Sequence, residues 1–386
     1  MTRTAAWIAC SGLCLAALAM ARPSHAQESL ATKRLREVWD GEGKEYQSNE
    51  FYTTFEYSRL EGLGPEEGVS RRDPSSVIKV GDTYYVWYTR TRKRTEAIDY
   101  DEEPQLLWSA TWFPASICYA TSRDGRTWEE QGEAVSTGPE DAFDGINVLT
   151  PNVLASGGKY YLYYQASGQP YRRQGMNVIG MSWAESPAGP WHRHPEPVLA
   201  PEQTTWGPKG IHDPSVLLLN GKCLLYYKGE IHAPEYRSRA WGVAIADRPE
   251  GPFTDSPLNP VTNSGHEVLV WRHGEGVAAL VTTDGYEKNT VQYAADGLNF
   301  ELKAHVAIPP NAAGAFSPDD STNTGDARGI AWGICHVTQV KSRPWPLLLR
   351  FDCDLTREGT GRWRFKRANH RFSEEAYLTD GPPLER

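Results

Sequence analysis

Hydrophobic and polar positions along this chain recur as a repeated unit of short strands. Each unit opens with an acidic or small polar residue, enters a strand, turns at glycine, and continues into an aromatic-rich strand. A small-residue strand follows, closed by Asp-Gly or Pro-x-Gly and then an aromatic. The first copy runs Arg72-Asp73-Pro74-Ser75-Ser76-Val77-Ile78, Gly81-Asp82, Tyr84-Tyr85-Val86-Trp87-Tyr88, Cys118-Tyr119-Ala120-Thr121-Ser122, Asp124-Gly125 and Trp128. The second has Thr150-Pro151-Asn152-Val153-Leu154, Gly157-Gly158, Tyr160-Tyr161-Leu162-Tyr163-Tyr164, Ile179-Gly180-Met181-Ser182, Ala188-Gly189 and Trp191. The third has His212-Asp213-Pro214-Ser215-Val216-Leu217, Asn220-Gly221, Leu224-Leu225-Tyr226-Tyr227, Val243-Ala244-Ile245-Ala246, Glu250-Gly251 and Phe253.

A weaker fourth copy starts at His266-Glu267-Val268-Leu269-Val270-Trp271, turns at Gly274, and ends in Val291-Gln292-Tyr293-Ala294, Asp296-Gly297 and Phe300. The faintest pairs Gly329-Ile330-Ala331-Trp332-Gly333-Ile334 with Leu347-Leu348-Leu349-Arg350-Phe351 and stops at Trp363. Repeats of this length, each holding about four short strands, are the signature of a β-propeller. One unit alone cannot bury its faces, and closure into a ring solves that. No helical periodicity of ten or more residues lies between the strands, which disfavours a doubly wound α/β fold. The expectation is an all-β, five-bladed propeller.

The N-terminus departs from this pattern. Arg3, the apolar run Ala5–Ala21 and Ser24-His25-Ala26 predict a secretory leader over 1–26, cleaved near Gln27 and sending the protein to the periplasm or the medium. The rival readings are a membrane anchor, for which the run is short and broken by Ser11 and Gly12, and a lipoprotein signal at Cys10 or Cys14. The chain carries a formal charge of -9, and loss of Arg3 and Arg22 makes the mature protein more acidic still. With no basic stripe, nucleic acid is excluded as a partner, and a mean hydropathy of -0.56 excludes an integral membrane bundle after leader removal. Cys118, Cys223, Cys335 and Cys353 fit no zinc or Cys-x-x-Cys pattern. Buried thiols are the favoured reading, with a Cys335–Cys353 bridge as the alternative in an oxidising compartment.

In a propeller the residues that open the innermost strands converge at one mouth. Here they are Asp73, Thr150, Asp213 and the pair His266-Glu267, three of them carboxylates. A single Asp before Pro commonly just opens a turn. Three carboxylates in one pocket are costly unless used, because mutual repulsion raises at least one pKa. Such a set suits glycoside hydrolysis: one carboxylate activates water, a second group in its acid form protonates the leaving oxygen, and a third tunes the pair. Attack opposite the leaving group inverts the anomeric centre.

Longer strings make the pattern specific. Arg71-Arg72-Asp73-Pro74-Ser75, Thr150-Pro151, Tyr161-Leu162-Tyr163-Tyr164-Gln165-Ala166, His212-Asp213-Pro214, Tyr226-Tyr227-Lys228-Gly229-Glu230, Gly265-His266-Glu267-Val268, Thr283-Asp284-Gly285, Glu287-Lys288-Asn289-Thr290 and Arg350-Phe351-Asp352-Cys353-Asp354 resemble glycoside hydrolase family 117. The resemblance spans roughly residues 50 to 355. It implies an exo-hydrolase that releases 3,6-anhydro-L-galactose from the non-reducing end of neoagaro-oligosaccharides by inverting cleavage of an α-1,3 bond. It further implies Asp73 as general base, Asp213 as its pKa-tuning partner, Glu267 as third carboxylate and His266 as general acid. An imidazolium among carboxylates would have a raised pKa; the other reading of His266 is an orienter of Glu267. His266-Glu267 also begins like a His-Glu-x-x-His zinc helix, but position 270 is Val.

Thr150 and Gln165 match sugar-contacting positions, and Arg71, Lys228 and Glu230 join them as candidate substrate-binding residues within the matching strings. Trp108 or Trp112, in the Thr91–Ala115 insertion, would supply a stacking face for a pyranose. Trp128, Trp191 and Trp363 recur at one point of the repeat and read as blade packing. No cofactor is required; some relatives hold a divalent cation near the site, but no dedicated ligand cluster is visible here. The family also has an N-terminal helical arm swapped between protomers, and Leu30–Trp39 can form a short helix before Gly41 and Gly43. The expected organisation is a leader (1–26), an arm (27–60) supporting a homodimer, and the catalytic propeller (61–386).

Substrate choice is more open than fold. The insertion Thr91–Ala115 and the loop Ser167–Asn177, with Arg172 and Arg173, show no agar-specific pattern, and the two arginines would equally suit a sulfated or uronic sugar. The rivals are a propeller hydrolase acting on arabinan, xylan or fructan and a non-catalytic carbohydrate-binding propeller. The latter would not need Asp73, Asp213 and Glu267 together.

Overall fold

The computed structural model describes residues 29–31, 50–92, 114–169, 177–207, 210–229, 239–318, 327–337 and 345–357. Apart from the helical pair Leu30-Ala31 and a 3-10 turn at Pro201–Gln203, the elements among these residues are strands. The first strand in the chain, β1 (Glu56–Arg59), belongs to the last sheet. The first repeat forms β2 (Val69–Arg72), β3 (Ile78–Val80), β4 (Thr83–Arg92), β5 (Ser116–Ser122) and β6 (Trp128–Val135), in the order β2-β4-β5-β6 with β3 also on β4. The second forms β7 (Asn147–Ser156), β8 (Lys159–Ser167), β9 (Val178–Ala184) and β10 (His192–Arg193), and the third β11 (Ile211–Leu219), β12 (Lys222–Gly229), β13 (Ala240–Ala246) and β14 (Thr254–Asp255).

The last two repeats share one eight-stranded sheet. Its fourth-repeat strands are β15 (Glu267–Gly274), β16 (Gly276–Thr282), β17 (Thr290–Ala294) and β18 (Glu301–His305). Its fifth-repeat strands are β19 (Gly314–Phe316), β20 (Ala327–Val337) and β21 (Leu347–Thr356), with β1 on the outside of β21. Strand pairing thus gives four sheets where five units are expected, because His273–Arg328 and Gly274–Ala327 join β15 to β20. The units follow one another around a ring: β4 packs on β7, β7 on β11, β11 on β15, β15 on β19 and β20, and β20 and β21 on β2.

Burial tracks position in each sheet. β7 is buried over its first eight residues and β8 through its middle, as strands clamped between neighbouring sheets must be. Outer β6 alternates exposed and half-buried residues, the pattern of a strand with one wet face. The aromatic stops behave as packing groups. Trp128 is buried beside Tyr88 and Trp332, and Trp191 meets Trp87 edge-on at 5.8 Å; Trp363 lies outside the described residues.

Two expectations change. The fifth unit opens at β19, which was not legible because a three-residue Gly-Ala-Phe strand has no alternation to read. Gly314 is needed there, since a Cβ would sit 1.7 Å from the Ser75 carbonyl oxygen. Residues 50–60, assigned to the arm, pack into the last sheet: β1 pairs with β21, and Phe51, Tyr52, Phe55 and Tyr57 join its core. Of the expected helix Leu30–Trp39 only Leu30 and Ala31 are described, and both are helical. Ser29 donates to Pro260 O at 2.7 Å and Asn263 to Ala31 O at 2.9 Å, so this segment docks on the 260–263 loop. The cysteines follow the favoured reading: all four are free and buried. Cys335 lies opposite Leu349, four residues from Cys353 along β21, or about 13 Å, beyond a disulfide's reach.

Candidate active site

The strand openers share one backbone device. Arg72 pairs with Thr89, Leu149 with Gln165, and His212 with Lys228, and in each case the next residue leaves the ladder. Those next residues are Asp73, Thr150 and Asp213, each before a proline, with φ of 49°, 48° and 50°. Left-handed backbone at a non-glycine residue costs of order 1–3 kcal/mol and persists only where the surroundings enforce it. The fifth unit repeats the turn with alanine: His336 N–H donates to Asn311 O at 3.2 Å, and Ala312 has φ 42°. The fourth departs from it. Gly265 takes φ 103°, and Glu267 enters β15 directly, opposite Thr282.

These turns surround one open pocket, lined by Asp73, Thr150, Asn152, Asp213, Trp241 and Glu267 among others, with Ala312 and Ala313 leaving room on the fifth side. Asp73 Oδ2 lies 3.1 Å from Arg72 Nη1 and Oδ1 lies 3.0 Å from His336 Nδ1. Burial alone would raise the Asp73 pKa. The Arg72 charge, then His336 and Lys228, outweigh it and hold the carboxyl at about 2. Lys228 Nζ pairs with Asp213 Oδ2. Burial would strip the Lys228 proton, but Asp213 and Glu267 hold it, and its pKa is raised.

Glu267 moves the other way. Burial, then the charge of Asp213 and more weakly that of Asp73, push it well above the usual carboxylate range against the pull of Lys228 and Arg72. One pocket therefore holds two carboxylates whose proton affinities are pushed in opposite directions. The pKa of His266 moves opposite to the expected rise: burial first, then Lys228 and Arg239, lower it to about 3 despite Asp213 and Asp73. Arg239 Nη1 lies 2.7 Å from His266 Nδ1, making that nitrogen the acceptor, while Nε2 stands 3.5 Å from Glu267 Oε1. The ring is neutral near pH 7. Cations face it as well as carboxylates, which a reading of neighbouring carboxylates alone missed.

A solved structure of Zg3597, a family 117 glycoside hydrolase produced by the marine bacterium Zobellia galactanivorans, matches the chain at 37% identity, covering 86% of this chain and 99% of that one, with a TM-score of 0.73. The chain belongs to glycoside hydrolase family 117. The model of glycosyl hydrolases family 43 also matches, over residues 68–238. A family 43 enzyme from Xanthomonas citri complexed with xylose shares the fold at 14% identity and a TM-score of 0.51, covering 77% of this chain and 89% of that one. CoXyl43, a β-xylosidase/α-arabinofuranosidase from a compost metagenome, does so at 14% and 0.50, covering 77% and 94%. No protein of curated function matches the chain.

The remaining candidates of this family 117 hydrolase divide by position. Thr150 lines the pocket, and its Oγ1 donates to Gln165 Oε1 at 3.4 Å. Lys228 lies behind the lining on Asp213. Arg71 points away from the pocket: it bonds Glu130 at 2.9 Å, Glu66 at 2.6 Å and Gly64 O at 3.3 Å. It sits opposite Arg90, and Glu130, also 2.9 Å from Arg90, relieves the repulsion of two like charges across one ladder. Trp108, Trp112, Glu230, Arg172 and Arg173 lie outside the described residues. Sequence reasoning missed Arg72, Asn152, Trp241 and His336. Trp241 Nε1–H donates to Gly265 O at 3.1 Å and so holds the turn before Glu267. Among the described residues no group of three or more His, Cys, Asp or Glu side chains converges as a metal site.

Proposed function

We propose that this hydrolase removes the terminal sugar from an oligosaccharide with inversion, Asp73 activating water and Glu267 protonating the leaving oxygen. The observation that carries the reading is the opposed proton affinity of two carboxylates lining one pocket. A general base must start ionised and a general acid protonated, and environments that push two pKa values apart make that assignment. Glu267 hands its proton to the glycosidic oxygen as the bond breaks, and the new carboxylate is met by Lys228 and Arg72, whose charges already favour it. Asp73 takes the proton of the attacking water, with Arg72 and His336 holding the carboxylate in place. Asp213 keeps Glu267 protonated by repulsion and Lys228 charged by attraction. His266, neutral, orients Glu267 at the rim.

The family resemblance supports exo action and a neoagaro-oligosaccharide bearing 3,6-anhydro-L-galactose as substrate, and the leader supports work in the periplasm or outside the cell, with a dimer built through the arm. The test is a screen of neoagaro-, carrageenan-, arabinan- and xylan-derived oligosaccharides by wild type and Asp73→Asn, with the released anomer followed by proton NMR. The expected outcome is one terminal sugar released as the inverted anomer by wild type and nothing by a folded Asp73→Asn. Internal cleavage, a retained anomer, or turnover by the variant refutes the corresponding part of the mechanism.

A further inference from the structure

His336 sits on β20, in the unit that precedes Asp73 around the ring, and its side chain is 4% exposed. Its Nδ1 lies 3.0 Å from the Asp73 backbone N–H and 3.0 Å from Asp73 Oδ1. One ring nitrogen thus faces a donor and an acceptor of the same residue. Without a proton it accepts from the N–H; with one it donates to the carboxylate. Either way it ties the left-handed turn at Asp73 to the fifth unit.

The next unit shows what backbone support alone requires. Thr150, with the same φ, receives its support from Thr89, whose Oγ1 accepts the Thr150 N–H at 2.8 Å. Thr89 occupies on β4 the register place that His336 occupies on β20, opposite the residue before the turn. A hydroxyl therefore suffices to hold such a turn. Where the opener is Thr150, which carries no carboxylate, the supporter is a threonine. Where it is Asp73, the supporter is a ring that also reaches the carboxylate.

We infer that His336 is a positioning residue for the base, setting both the backbone turn and the carboxylate of Asp73. This rests on Asp73 being the base. The other charged groups acting on Asp73 are Arg72 beside it and Lys228 from β12, and Asp213 on β11, Glu267 on β15, and His266 with Arg239 at the rim also belong to the ionisable set around the pocket. Arg72 supplies the larger charge effect, so losing His336 weakens the site without abolishing it.

The test compares His336→Ala and His336→Asn with wild type, each checked for folding by circular dichroism and thermal unfolding. His336→Ala is expected to lower kcat by about ten- to a hundredfold, the usual loss when a supporting partner is removed, with KM far less affected. Its ratio of kcat/KM at about pH 3 to that at about pH 7 falls below the wild-type ratio, because losing a partner of the charged form raises the proton affinity of Asp73 from about 2. His336→Asn keeps a neutral acceptor for the N–H and recovers the unfolding midpoint but not the ratio. Wild-type kcat and pH profile in folded His336→Ala overturn the inference. So does His336→Asn with both stability and profile restored, which would reduce His336 to backbone support; if the alanine variant does not fold, the asparagine profile decides alone. Asp73→Asn run alongside separates the two readings: surviving activity there refutes the base assignment, whereas an inactive Asp73→Asn beside an unaffected His336→Ala refutes only this inference.

Discussion

Asp213→Asn tests the electrostatic logic of the pocket most directly. It removes the charge that keeps Glu267 protonated and leaves Lys228 without its carboxylate, so both consequences lower the Glu267 pKa. A charge acting on a pKa lies within about 4–6 Å, where at an effective dielectric of about 20 it is worth roughly 3–4 kcal/mol. Glu267 keeps 19% of its side-chain exposure through the mouth, and solvent screening that halves the effect leaves about 1–1.5 pKa units at about 1.4 kcal/mol each. Activity needs Glu267 protonated, so it is lost as pH rises through that pKa. In Asp213→Asn this basic limb of kcat/KM moves down by about one unit or more. Lys228→Met removes the opposing cation and moves the limb up. The assay is a kcat/KM pH profile on folded protein, with unfolding midpoints measured in parallel because breaking a buried ion pair is itself destabilising. A limb that stays put in both variants, or moves the same way in both, refutes the assignment of Glu267 as the acid.

Two further outcomes follow from the geometry. His266→Gln retains an acceptor for Arg239 and is expected to lose less than about tenfold in kcat with its basic limb in place; a loss above about a hundredfold, the scale of a missing general acid, returns that role to His266. Gly314→Ala forces a methyl onto the Ser75 backbone, which cannot give way as a flexible side chain would; chemical denaturation is expected to show a cost toward the upper end of about 1–3 kcal/mol, with activity falling because Pro74 and Asp73 shift with it, and an unchanged midpoint contradicts the close approach of β19.

Much of the fold was legible because a propeller unit is written locally. Alternation with period two, glycine turns and aromatic stops mark strands wherever they occur, and the first three repeats carry all of these. Asp73, Thr150 and Asp213 were found by the same route, as the residues that open those repeats, and the structure brings them to one pocket with Glu267. The signal failed where units are completed from far away. β19 is three residues long, and β1 joins β21 across almost the whole chain. Arg71 lies two residues from Asp73, a spacing that shares one face within a strand, yet it turns to Glu66 and Glu130, because Asp73 leaves the ladder in a left-handed turn.

Proton affinity was beyond the sequence for a different reason. Three carboxylates in a mouth predict that one of them holds a proton, but which one depends on where the cations stand. Arg72 faces Asp73, and Lys228 faces Asp213. Glu267 is left with burial and the repulsion of Asp213, while His266 meets Lys228 and Arg239 rather than carboxylates alone. None of these pairs except Arg72–Asp73 is adjacent in the chain. Local pattern therefore determined the strands, the repeat and the identity of the acidic openers, whereas ring closure decided their charges, because a pKa answers to the sum of neighbours in space and not to order along the backbone.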